Sequence, residues 1–140
     1  MLFELAQKGA KIGSYARSLI ENPAFTTLPI PILIDLVIVE AGKLVPGKLK
    51  PTTEEIFDKA DELGLDKVPA ELGPHYRLAH MDQPKGGRVF MGTYPIVETD
   101  DRQHFFEVSN NNYGLWLERP WTPLSRERNS QDVFVFSLRK

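Results

Sequence analysis

The chain contains no cysteine. That excludes disulfides, thiolate zinc sites, iron–sulfur clusters and cysteine nucleophiles together, and it fits a reducing compartment. A long apolar run is also missing. The most hydrophobic stretch, Leu28 to Val39 (LPIPILIDLVIV), is interrupted by Pro29, Pro31 and Asp35 and falls short of the ~18–20 residues that a membrane-spanning helix needs. The opening segment MLFELAQKGAKIGSYARSLIEN spreads its charges throughout and has neither an apolar h-region nor a small-residue cleavage site. No secretory signal is therefore expected, no membrane association is expected, and the expected location is cytoplasmic. Nor is there an excess of one charge: 17 Lys and Arg against 19 Asp and Glu leave a net charge of −2, without the basic balance of a nucleic-acid binder.

What is present is the composition of a globular protein. Of 140 residues, 41% are hydrophobic and 26% charged, which predicts one domain over residues 1–140. A chain of this size buries roughly 68–70% of its unfolded surface and can be stable without covalent staples. No internal repeat, heptad seam or low-complexity tract is visible.

Leu2, Leu5, Ile12, Ala16, Leu19 and Ile20 recur near helical spacing and predict an amphipathic helix over residues 2–21. Gly9 and Gly13 each cost about 1 kcal/mol relative to alanine, so a bend or break is expected there, and Asn22-Pro23 stops the helix. The run ILIDLVIV (Ile32–Val39) is β-branched and apolar on both faces, which predicts a central strand covered on both sides. KLVPGKLKP, residues 43–51, reads as an exposed loop and a candidate hinge, and the chain divides into a helix- and central-strand-containing half, 1–68, and an antiparallel strand-rich half, 69–140. Thr52 followed by Glu55 forms a capping-box pattern. The helix that it opens has Ile56, Phe57, Ala60 and Leu63 as its apolar stripe, and Gly64 is suited to the left-handed C-terminal cap.

After Pro69 the period shortens. HYRLAHMD, RVFMGTYPIVE, HFFEVSN, YGLWLE and DVFVFSLR read as strands separated by turn formers. The expected fold is therefore α+β, with an N-terminal helix and a capped central helix packed on one face of a mainly antiparallel sheet.

The segment PTTEEIFDKADELGLDKVPAELGPHYRLAHMDQP, together with KIGSYARSLIENPAF, IDLVIVE and the closing VFVFSLRK, resembles a group of uncharacterised small bacterial proteins from candidate-phylum genomes. The most specific portions are Glu71-Leu72-Gly73-Pro74, Arg77-Leu78, Asp82-Gln83-Pro84 and Gly114-Leu115-Trp116-Leu117. The resemblance implies one compact domain and brings no activity, ligand or cofactor with it.

Chemistry-bearing motifs are sparse. His75, His80 and Asp82 are the most plausible metal-ligating types, but on a strand 80 and 82 share a face while 75 lies on the other, so no metal site is expected and His104 does not complete one. Ser14, Ser109 and Ser125 lack a nucleophile elbow. Acid–base carboxylate pairs can be drawn from Glu40, Glu71, Glu107 and Glu118, as in any acidic protein of this size. Gly86-Gly87 lacks phosphate-loop spacing and predicts a hairpin turn. Arg77 and Asp82 are expected to form a partly buried bridge that fixes the QPKGG turn. In NNNYGLWLERPW, strand alternation turns Leu115 and Leu117 to the core and Trp116 away from it, and Tyr113, Trp116, Arg119 and Trp121 are the candidates for a contact surface.

The sequence therefore predicts no catalytic residue, no metal and no cofactor. The leading expectation is a non-enzymatic binding or interaction module using an aromatic/amide surface. Its candidate contact residues are Tyr113, Trp116, Arg119, Trp121, Arg77 and Asp82, and its partner is a protein or small-molecule ligand rather than nucleic acid. The alternative is a small hydrolase with an acid–base carboxylate.

Overall fold

The computed structural model describes residues 2–23, 25–94, 96–97, 103–120 and 124–139. In chain order the elements are α1 (Leu2–Gln7), β1 (Lys11–Ile12), α2 (Ser14–Glu21), β2 (Leu36–Glu40), α3 (Ala41–Leu44), α4 (Thr53–Glu62), β3 (Leu65–Asp66), α5 (Leu72–Ala79), β4 (Arg88–Met91), β5 (Ile96–Val97), β6 (Gln103–His104), β7 (Glu107–Asn111), β8 (Gly114–Glu118) and β9 (Val133–Leu138). The architecture is α+β. Among the described residues no helix is long and apolar enough to cross a membrane.

The predicted break in the first helix falls where glycine placed it. Gly9 adopts φ 85°, α1 stops before it, and α2 resumes after Gly13, which is its N-cap. Between them the chain forms the short strand β1. The capping box is complete: Thr52 Oγ1 accepts from Glu55 N–H at 3.1 Å and Glu55 Oε1 accepts from Thr52 N–H at 3.1 Å, and Gly64 takes φ 84° beyond the helix end. Lys48 Nζ, 2.5 Å from Glu55 Oε2, is the main cause holding that carboxyl below the ordinary carboxylate range.

Seven strands form one sheet in the order β1-β8-β7-β4-β9-β2, with β3 also pairing β9. The sheet is mixed rather than mainly antiparallel, because β1 runs parallel to β8 and β4 runs parallel to β9. Helices cover both faces, not one. On the first face α1, α2 and α5 close a core of Leu5, Ala16, Leu19, Tyr76, Met91, Val108, Leu117 and Val135. On the second, α3 and α4 pack Ala41, Leu44, Ile56 and Ala60 over Phe90, Phe134 and Phe136. Phe57 is half-buried and meets Phe105, Phe134 and Phe136 edge-on at 5.7–6.2 Å. Leu63, expected in this stripe, is exposed, because it caps the helix and points past the sheet.

Two further expectations are corrected. The ILIDLVIV run is not a central strand: only Leu36–Glu40 is extended in the sheet, and it lies at the sheet's edge with Leu36 and Ile38 exposed. Pro29 and Pro31 withhold two amide donors, and the chain enters the ladder only once it is past them. The predicted strand HYRLAHMD is α5. Pro74 sits in the first turn of that helix, where its missing N–H costs nothing.

Candidate functional site

Strand alternation places Arg88, Phe90, Glu107, Ser109, Trp116 and Glu118 on the second face. The aromatic layer under α4 takes up Phe90. Along β7 and β8 the same face instead carries charged and polar groups, and Glu107 lies directly opposite Glu118 across the ladder, where side chains of antiparallel neighbours are in contact range.

The charges are deeply set. Glu107, His104, Ser109, Arg119 and Arg128 are all buried. Arg88 Nε donates to Glu107 Oε1 at 2.5 Å. Burial, and then the facing Glu107 charge, push the Glu118 carboxyl up from the ordinary carboxylate range. Its oxygens lean over the backbone of Gly13, where a Cβ would collide with them. Arg119 Nη1 lies 2.5 Å from His104 Nδ1 and 3.2 Å from its Nε2, and the guanidinium lies 4.9 Å from the Tyr15 ring centre. Arg128 stacks on Phe90 at 4.6 Å, donates from Nε to Thr53 Oγ1 at 3.0 Å, and is shifted down chiefly by burial.

Trp116 forms the rim of this cluster. It is half-buried on the face opposite Leu117, as alternation predicts, with Lys11 Nζ 5.6 Å from its ring centre and its Nε1 donating to Asn111 Oδ1 at 3.2 Å. Tyr113, in the β7–β8 turn, is 76% exposed; its backbone N–H donates to the same Asn111 oxygen at 2.8 Å. Trp121 lies outside the described residues.

The expected Arg77–Asp82 bridge is not formed. Because the segment is a helix, Arg77 points under the sheet on the first face. There Nη1 donates to Gln83 Oε1 (2.8 Å), Ser109 O (2.9 Å) and Trp116 O (3.2 Å), and Nη2 donates to His80 O (2.6 Å). Desolvation lowers its pKa. Asp82 is exposed. Gln83 Nε2 adds a bond to Val108 O at 3.1 Å, and Gly86-Gly87 form a turn that docks on Asn110. It joins a helix to β4 rather than two strands. Arg77 is thus a structural bolt, fully buried, and both it and Asp82 are removed from the contact surface.

Among the described residues no three His, Asp or Glu side chains are grouped to hold a metal. His75 lies near Glu71 (Nε2 to Oε2, 3.6 Å) and His80 stacks on Tyr76. Of the four glutamates singled out in the sequence, Glu40 ends β2 and Glu71 accepts from Leu28 N–H at 2.7 Å, so only Glu107 and Glu118 form a neighbouring pair. His104, Arg88 and Arg128 were not legible as site residues. The signal available was the two-residue spacing of Trp116 and Glu118 and of Glu107 and Ser109, which puts each pair on one side of its strand.

Comparison of the chain with protein-family models, with curated proteins and with solved structures finds no match.

Proposed function

We propose that this chain is a non-enzymatic binding module whose contact surface runs along the second face of β7 and β8, from Tyr113 and Trp116 to Glu118, with the buried Arg119 just beyond the end of β8. Its partner is a protein or small-molecule ligand, met in the cytoplasm, where a cysteine-free chain is at home. The observation that carries the reading is the concentration of buried charge beside a half-open tryptophan. Holding ionisable groups away from water costs several kcal/mol per ion before pairing, and apolar residues of similar size would serve stability as well or better. Such clusters are therefore enriched at functional sites. A flat ring next to fixed donors and acceptors supplies contact area and orientation together.

The test is Trp116→Ala in a pull-down from native lysate, read beside a thermal melt. The expected outcome is loss of the retained partner with a melt close to that of the wild type. A variant that folds normally and keeps every partner overturns the reading.

A second reading, a hydrolase, is favoured by one observation. Glu118 is shifted towards its neutral acid beside Glu107, whose side chain accepts from Arg88, so that a carboxyl able to hold a proton faces a second one across the ladder. A panel of chromogenic esters, phosphates and glycosides separates the two. Turnover abolished by Glu118→Gln and retained by Trp116→Ala supports catalysis, and no turnover leaves the binding module.

A further inference from the structure

The two edges of the main sheet are built differently. One edge is β1, two residues long and carrying the exposed Lys11, a short and charged edge of the kind that discourages further strand addition. The other is β2, which pairs with β9 over five consecutive residues and has no strand on its outer side among the described residues. Its sequence, LVIVE, holds no lysine, proline or break in the ladder, and its charge, Glu40, stands at its last position.

Exposed apolar side chains adjoin this open edge. Leu36 and Ile38 project onto the first face beyond the reach of α5. The preceding segment adds Leu28, Ile30 at 67% exposed, and Ile32, whereas Leu33 lines a separate hollow beside Asp66 and Tyr94. Between that segment and the start of α5 lies a groove of about 440 Å³ floored by Leu36 and Leu72. Glu71 holds the segment in place through its bond from Leu28 N–H, so the apolar side chains are presented by a tethered arm. The five residues Leu28, Ile30, Ile32, Leu36 and Ile38 expose on the order of 450 Å² of apolar surface, within the range of the largest patch a monomer normally leaves open. With the backbone of β2 added, the area approaches the about 600 Å² per partner at the lower end of specific interfaces.

We infer that β2 pairs antiparallel with β2 of a second copy of this chain, joining two sheets into one across a two-fold axis. A two-fold interface must match itself, and this surface does. With the axis at Val37, Leu36 of each copy faces Ile38 of the other on the apolar face. The acids Asp35 and Glu40 meet aliphatic positions at the flanks rather than each other. The arms of residues 28–33 then close over the shared apolar surface, and the edge amides and carbonyls of β2 gain partners. The inference is independent of the proposed contact surface, which lies on the opposite face at the other end of the sheet.

The absence of cysteine makes the test direct. Sedimentation of the wild type should show a concentration-dependent dimer, and Ile38→Lys should be monomeric and folded, with a melt that no longer depends on protein concentration, because Ile38 is 55% exposed. Leu36→Cys, Val37→Cys and Ile38→Cys are oxidised in parallel, with Tyr113→Cys as the distant control. A covalent dimer is expected, strongest at Val37; a maximum at 36 or 38 moves the axis but keeps the pairing. A wild type that stays monomeric at every concentration, or a dimer that survives Ile38→Lys and is captured by none of the three β2 cysteines, overturns the inference. A monomer that binds an apolar dye in the groove overturns it as well, because the surface then serves another occupant.

Discussion

Arg77 Nη1 donates to the carbonyl oxygen of Trp116 at 3.2 Å, so a helix on one face of the sheet grips the backbone of the residue whose ring stands on the other face. The same guanidinium holds Ser109 and His80. The two places that the sequence offered as separate contact sites are one structure seen from opposite sides. Arg77→Met is expected to cost about 3–5 kcal/mol in urea unfolding, because it leaves buried carbonyls a donor short. Arg77→Lys should recover little, since one ammonium cannot reproduce the planar fork. A loss under about 1 kcal/mol would show that the bonds are replaceable by water.

Phe57 and Leu63 were predicted together and should behave differently. Phe57→Ala removes three edge-on ring contacts, but from a half-buried site, so about 2–3 kcal/mol is expected rather than the full cost of emptying a core position. Leu63 is 57% exposed, and Leu63→Ala should stay within about 0.5 kcal/mol of the wild type. Equal losses in denaturant unfolding would contradict this packing.

The pH dependence of stability carries two opposite contributions. At Glu118 burial favours the neutral acid, so the folded chain keeps a proton over a range in which the unfolded chain has released it. Stability is lost there as pH rises through the folded-state pKa. At Glu55 the carboxylate is favoured, first by Lys48, so its contribution is present above the ordinary carboxylate range and lost as pH falls through its depressed pKa. At neutral pH Glu118→Gln should melt above the wild type and Glu55→Gln below it, and both differences should vanish in acid. Melting curves across pH that move in the same direction would refute the assignment.

Gly73 lies in the first turn of α5 against Phe106, and a Cβ there would sit 2.5 Å from the ring. The helix can approach the sheet this closely only without a side chain. Gly73→Ala should therefore cost about 1–3 kcal/mol despite alanine's better helix propensity. A variant as stable as the wild type by thermal melt would show that Phe106 can move aside.

Local chemistry was legible where it acts over a few residues. The capping box at Thr52 and Glu55, the helix stop at Gly64, the break between α1 and α2, and the alternation that sends Leu117 inward and Trp116 outward each depend on neighbours within one turn or one strand, and all appear as the sequence implies. Long-range partners decided the rest. ILIDLVIV has the composition of a buried strand, but Pro29, Pro31 and a single partner, β9, leave Leu36–Glu40 at the edge with its apolar side chains open. HYRLAHMD is short and apolar enough for either period, and it is helical because Tyr76 and Arg77 fit the space under β7 and β8. The Glu107–Glu118 pair comes from two separate strands, and its charge balance depends on Arg88 and on desolvation. Burial and cross-strand register are properties of the assembled sheet, so no spacing along the chain could have specified that site.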